Sequence, residues 1–333
     1  MRKTSRWASV AAVLALAVGF TWTGADAATT KVTIVGAGKG AGAFRIAGAI
    51  AEVVNKESKA VNMTNQETGG MVANTRMIAN SRVEFALANG VFVDAIQRKQ
   101  HPFQKERQAA TNLRGVGPVL SAWLQIAVLQ DSGIKTVEDL KGKRISMGPK
   151  GSNSVYMQEV VFKAMGIHDS LRKDYLKWED AATYMVDGKL DSFGIPNPIP
   201  GPALLQAAQS RPIRMLDIPE KALDAFIKIS GGYYKTEADM SVYRGMEGKK
   251  IRTIAYSVYL LAHDKVPADV VYEVTKHFYD PKNRDFIQNV YKPLRDGLDQ
   301  AQNDKFIGVM KSFDLKLHPG AERYWKERNY KVN

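Results

Sequence analysis

Residues 33–45 read TIVGAGKGAGAFR, a strand pattern that runs through glycines into a helix pattern. Gly36, Gly38 and Ala41 match the spacing G-x-G-x-x-G/A, which lets backbone at a strand-to-helix turn close on a pyrophosphate. The helix that follows aims its free N–H groups and the positive end of its dipole at whatever sits there. Lys39 and Arg45 add two cations, with Phe44 between them and the turn, and a guanidinium can grip a carboxylate with two parallel bonds. Two similar turns follow. One is Glu67-Thr68-Gly69-Gly70 with Asn74 just beyond it, and the other is Gly148-Pro149-Lys150-Gly151-Ser152-Asn153-Ser154. Asn89 and Asn197 stand at the ends of two more strand patterns. All of these residue types hold anions or exchange hydrogen bonds.

Three features weigh against a dinucleotide. The acid expected about 20 residues beyond the glycines should end the second strand. Glu52 and Glu57 stand at that spacing, and both fall in or at the end of the first helix. The N-terminus carries no twin-arginine pair, so export would be in the unfolded state, without a pre-bound cofactor. No group of residues suited to hydride or proton transfer accompanies the loop. The anion-holding geometry survives, and a carboxylate suits it as well as a phosphate does. The chain has no cysteine and five histidines without H-E-x-x-H spacing, so thiol chemistry is excluded, and no metal and no cofactor are expected.

The elements that must position these turns begin after an export signal. Arg2, Lys3 and Arg6 precede an uncharged run over residues 7–20, and Ala25-Asp26-Ala27 is a small-x-small cleavage site. At about 1.5 Å per residue the run spans about 21 Å, short of a hydrocarbon core of about 30 Å. It therefore reads as a secretory signal peptide over 1–27, cut after Ala27, rather than an anchor. The formal net charge is +13, and the signal carries three positive and one negative side chain, which leaves about +11. That excess is either a generally basic surface or an attraction for an anionic small molecule or docking partner. No nucleic-acid motif is present.

Strand and helix patterns alternate from residue 31: strands at 31–36, 60–65 and 84–88, and helices at 42–55, 70–80 and 90–98. Two extended segments follow at 113–120 and 123–129. Thr136-Val137-Glu138-Asp139 has a capping-box pattern. Further α/β units run to residue 216, a long apolar extended stretch covers 253–262, and the rest is mainly helical. The run PNPIPGP over 196–202 should lie outside regular structure, because proline lacks the donor. In open α/β sheets ligands bind beyond the carboxyl ends of strands. If the two α/β sets face each other, their helix N-termini meet in one cleft. The expected fold is α/β and bilobal, like periplasmic binding proteins. Lobe I covers 28–128 plus 255–333, lobe II covers 129–254, and crossing strands join them at a hinge near Trp123.

At this point the chain resembles the TAXI-type solute receptors of tripartite ATP-independent periplasmic (TRAP) transporters. The resemblance is carried by the glycine loop, ETGGMVANTR over 67–76, DSGI over 131–134, DLKGKR over 139–144, residues 148–154, DGKLD over 187–191 and LHPGAERY over 317–324. It implies a periplasmic receptor, not an enzyme. Such a receptor is expected to be a monomer and to deliver a small organic anion to the membrane subunits of an ion-gradient-driven transporter. Relatives favour carboxylates such as glutamate, glutamine or 2-oxoglutarate. The chain departs from the family pattern at Lys39, at Phe44-Arg45 in place of an aromatic pair, at Ser152-Asn153-Ser154 and at Asn89. Gly38, Lys39, Phe44, Arg45, Thr68, Gly69, Gly70, Asn74, Asn89, Ser152, Asn153, Ser154 and Asn197 are the expected ligand contacts. Each has a plainer alternative as a surface charge, a turn or a helix cap. Two rival functions are a receptor that signals to a sensor kinase and an exported NAD-binding oxidoreductase.

Overall fold

The computed structural model describes residues 29–332. The export signal lies outside the described residues. Ten strands form one sheet: β1 (Thr30–Val35), β2 (Val61–Gln66), β3 (Phe85–Asn89), β4 (Leu113–Leu129), β5 (Arg144–Ser146), β6 (Arg172–Asp174), β7 (Ser192–Asn197), β8 (Ile213–Met215), β9 (Tyr233–Asp239) and β10 (Lys250–His263). The first six helices are α1 (Gly42–Glu57), α2 (Met71–Ala79), α3 (Gly90–Gln97), α4 (Asn153–Ala164), α5 (Trp178–Val186) and α6 (Pro202–Ser210). Six more follow as α7 (Glu220–Ile229), α8 (Ala268–Tyr279), α9 (Arg284–Val290), α10 (Leu294–Gln300), α11 (Lys305–Lys311) and α12 (Pro319–Glu327). Among the described residues no helix is long and apolar enough to cross a membrane.

The strand order is β2-β1-β3-β10-β4-β7-β5-β6, with β8 beside β4 and β9 beside β10. Two α/β halves meet along the long antiparallel pair β4 and β10. The end of β10, Val258 to Ala262, pairs with β3 of the first half, and its start pairs with β9. The end of β4, Trp123 to Val128, pairs with β7 of the second half. Within the halves β1 is parallel to β2 and β3, and β5 is parallel to β6 and β7. Parallel strands covered on both faces should be apolar throughout. Accordingly all five residues of β3 and all six of β7 are buried. Helix α1 buries Ile46, Ile50, Val53 and Val54 on one side and leaves Arg45, Glu52, Asn55 and Lys56 in water.

Two expectations need correction. The segments 113–120 and 123–129 are one continuous strand, because Ser121 and Ala122 keep their pairing with β10. The proline-rich run is partly regular. Pro196 lies within β7 opposite Leu124, where β5 has already ended its pairing at Phe193, so its missing donor has a free side. Pro202 starts α6, where no N–H is needed. The capping box at 136–139 is half formed: the Asp139 carboxylate reaches back to accept from the backbone N–H groups of Thr136 and Lys135 at 2.9 Å, where a short 3₁₀ turn begins.

Candidate functional site

The carboxyl ends of β1, β3, β5 and β7 all face the line where the halves meet. Three helices start there, and the first residues of each line one cavity: Ala41 and Ala43 at α1, Gly70 and Met71 at α2, Asn153 and Ser154 at α4. Asn197, Trp178 and Tyr256 complete its polar and aromatic lining, and Ile46, Leu120 and Ile195 its apolar wall. No acidic or basic side chain lines it. Its volume is about 30 Å³, room for one or two water molecules.

The halves are in contact around this cavity. The Gly42 N–H donates to Asn197 Oδ1 at 2.9 Å, and the Gly40 N–H to Glu179 Oε2 at 3.1 Å. The Ala73 N–H in the first turn of α2 donates to the Gly151 carbonyl at 3.0 Å. Tyr291 Oη donates to the Pro200 carbonyl at 3.1 Å. The starts of α1 and α2 thus each have one orphan donor satisfied by the opposite half. Trp178, at the first position of α5, is buried in the seam and donates from Nε1 to Ser154 Oγ at 3.0 Å. A methyl group placed on Gly38 or Gly70 would meet its ring at 3.4 or 3.5 Å. One on Gly40 would meet the Glu179 nitrogen at 2.9 Å. The glycine loop is therefore cut to the shape of α5: an indole and a carboxylate from the second half fill the space a pyrophosphate would need.

The expected contact residues separate into three groups. Gly70, Asn153, Ser154 and Asn197 line the cavity, and Ser152 caps α4 by accepting from Val155 N–H at 3.3 Å. Gly38 packs on Trp178. A second group holds the scaffold. Asn74 is fully buried, donating to the carbonyls of Gly36 at 2.5 Å and Leu87 at 2.9 Å, which ties the ends of β1 and β3 together. Thr68 donates to Asn74 Oδ1 at 2.6 Å, and Gly69 lies against the Lys150 carbonyl. Asn89 caps α3 through Phe92 N–H at 2.7 Å, and the Phe44 carbonyl accepts from Asn65 Nδ2 at 3.0 Å. The third group is Lys39 and Arg45. Both are exposed, and they line an open groove of about 640 Å³ outside the cavity, with Glu179, Pro202, Tyr291 and Lys292.

Two residues escape sequence reasoning. Trp178 carries no local signal beyond opening an acidic helix start, and its burial depends on glycines more than 100 positions earlier. Tyr256 lies in an apolar strand and looks like any core aromatic. Its hydroxyl accepts from Asn153 Nδ2 at 2.7 Å, across the seam. Burial pushes its pKa well above the ordinary tyrosine value, so it stays a protonated donor. Two cavity-lining amides are each left with one unpartnered atom, Asn153 Oδ1 and Asn197 Nδ2.

A structure described as a periplasmic transporter aligns with a TM-score of 0.51 at 14% identity, covering 91% of this chain and 98% of that one. The periplasmic aliphatic sulphonate binding protein SsuA from Escherichia coli aligns at 0.44 and 15% identity, over 91% of this chain and 89% of that one. A structure from work on glutathione import via GshT and the cystine importer TcyBC of Streptococcus mutans aligns at 0.49 and 15% identity, over 81% and 96%. The first of these likenesses is one of fold. The family described as NMT1-like matches residues 34–328, and the chain belongs to that family.

Proposed function

We propose that the protein is a periplasmic solute-binding receptor that closes its two halves over a small organic anion. The observation that carries this reading is the convergence of three helix N-termini, from both halves, on one cavity. Helix starts favour negative charge by about 0.3–1 kcal/mol each at exposed sites and up to about 2 kcal/mol when partly buried. Gly42, Ala73 and Val155 have their N–H groups taken by the protein itself. The first-turn donors of Met71, Asn153 and Ser154 are left for a guest. A guest that touches both halves binds the closed form more tightly than the open one and shifts the population toward closure. Micromolar affinity needs only about 8 kcal/mol net.

The finer parts of the proposal rest on the TAXI-type motifs. They support delivery of a carboxylate to a TRAP-type membrane transporter, export by a signal cut after Ala27, and a monomeric receptor. We further propose lobes of 28–128 plus 255–333 and 129–254, hinged where β4 and β10 change neighbours. Recognition by a sensor kinase would use the same closed shape. The oxidoreductase alternative loses its footing because Trp178 and Glu179 fill the glycine loop. A thermal-shift screen of carboxylates, amino acids and sulfonates, with NAD and NADP beside them, tests the reading. A shift with a small anion is expected. A shift with the dinucleotides alone would reverse it.

A further inference from the structure

We propose that the outer groove beside the cavity is a docking surface for an extended acidic segment of a partner protein, assembled only when the two halves close. The inference rests on the receptor reading above and names the surface by which a partner tells the closed form from the open one. Both halves build the groove. Lys39 and Arg45 at the start of α1, and Lys292 between α9 and α10, come from the first half. Pro200, Leu205 and Gln209, before and along α6, come from the second. Two bonds across the seam hold them in one concave surface. Tyr291 Oη donates to the Pro200 carbonyl at 3.1 Å, and the Ala203 N–H donates to the Gly40 carbonyl at 3.3 Å. Opening the halves breaks both bonds and draws the cations away from the α6 wall.

The charge and shape of the groove decide what it fits. Lys39, Arg45 and Lys292 are exposed, and none of them forms an ion pair among the described residues. Glu179 is the one acid among the described lining residues, and its Oε2 accepts from the Gly40 N–H at 3.1 Å. The lining is therefore net positive, and a concave surface of one sign focuses its field on an anionic partner. A lone small anion gains little here, because each cation stands in water and exposed pairs are weak. A chain that carries several carboxylates engages the three cations together, and each bond after the first forms within one complex. Pro200, Leu205 and Pro293 give the groove an apolar side for aliphatic groups between those carboxylates. Proline has little side-chain freedom to lose when it is covered. The exposed Gln209 amide offers both a donor and an acceptor to an extended backbone. A concave site with such a wall suits a protein segment better than it suits a flat anionic membrane.

The test is fluorescence anisotropy of labelled hexaglutamate on the chain from Ala28 onward, at low salt, with hexaglutamine and phosphatidylglycerol vesicles for comparison. Closure is set by pairing Ala73→Cys with Gly151→Cys. A Cβ at Gly151 would stand 3.6 Å from Ala73 Cβ across the seam, within the range a disulfide spans, and the chain has no cysteine of its own. Ala73→Phe, a wedge in the same seam and outside the groove, biases the halves the other way. The oxidised pair should bind hexaglutamate at least about 5-fold tighter than the reduced pair, and Ala73→Phe should bind it more weakly than wild type. Lys292→Glu and Gln209→Glu, one from each half, should each weaken binding by about 5-fold or more. Neither should alter the thermal shift given by a small anion. Hexaglutamate bound alike by the oxidised pair, the reduced pair and Ala73→Phe would mark general attraction to a basic surface and overturn the proposal. Failure of hexaglutamate to bind, or vesicle binding lost in Lys292→Glu without it, would overturn it too. The receptor reading is decided separately by the small-anion screen: a shift there with no hexaglutamate binding leaves it standing, and hexaglutamate binding with no shift there removes it.

Discussion

Gly42→Ala separates closure from folding. Gly42 opens α1, where alanine is a better helix former than glycine. Within its own half the gain is set against the Tyr291 hydroxyl, which would stand 2.6 Å from the new methyl group and must swing aside, so the substitution should be close to neutral there. Across the seam it is not neutral. The new methyl group would meet Asn197 Oδ1 and Pro198 Cδ of the second half at 3.0 Å each. Contacts that short require the second half to back away by several tenths of an ångström. That movement stretches the 2.9 Å bond from Gly42 N–H to Asn197 and leaves a buried acceptor unsatisfied, at a cost of about 1–3 kcal/mol. The cost falls only on the closed form, so the apparent dissociation constant of any bridging guest should rise by roughly 5-fold to 150-fold. Calorimetry with the tightest-binding carboxylate measures the affinity, and thermal unfolding of the unliganded chain measures the fold. The expected pair of results is a weaker complex with a nearly unchanged Tm. Wild-type affinity at wild-type Tm would mean that the seam around α1 plays no part in binding. A large fall in Tm would mean that the contact belongs to the fold and not to closure.

Four further outcomes follow from the same geometry. Asn74→Ala should lower stability by about 2–4 kcal/mol, because the carbonyls of Gly36 and Leu87 lose their donor inside the first half. Chemical denaturation checks this. Trp178→Phe should keep the fold but remove most of the fluorescence change on ligand addition, since Trp178 is the indole buried at the seam; a change of wild-type size would move the reporter elsewhere. Lys39→Ala and Arg45→Ala should slow association at low salt and leave the affinity at high salt within about 3-fold, as charges outside a cavity steer more than they hold. Stopped-flow kinetics at two ionic strengths decides. His318 accepts from the Gly320 N–H at 3.2 Å, and burial lowers its pKa to about 4 from an ordinary value of 6.5. The unfolded chain takes up that proton first, so stability is fully present above pH 6.5 and falls as pH drops from 6.5 toward 4. In His318→Asn, which can still cap α12, the decline over that window should be correspondingly smaller.

Much of the frame was legible because it rests on local rules. Strand, glycine turn and helix recur three times in the first 98 residues, and each recurrence appears as an element within one or two positions. The parts that were missed depend on distant partners. Strand β9 alternates weakly because most of it is exposed along one edge, and only its pairing with β10 holds it extended. Helix α10 carries a glycine that packs against β4, so its local propensity is poor. Pro196 looked like a breaker because the sequence does not show that β5 stops short of it. The site divided along the same line. Turn residues that line the cavity, such as Gly70 and Asn153, announce themselves by type and spacing. Trp178 and Tyr256 do not, since each gains its role from a residue that only the fold brings near. Lys39 and Arg45 drew notice by charge, and their side chains lie in solvent beside the cleft.

A bound carboxylate has two places to sit, the central cavity and the outer groove. A crystal structure of the chain from Ala28 onward, grown with the tightest-binding carboxylate, measures this directly. The carboxylate oxygens should lie about 2.7–3.1 Å from first-turn N–H groups of α2 and α4, with Trp178 and Tyr256 closing over them. A carboxylate held instead by Lys39 and Arg45 in the outer groove, with the central cavity untouched, would contradict the proposed site.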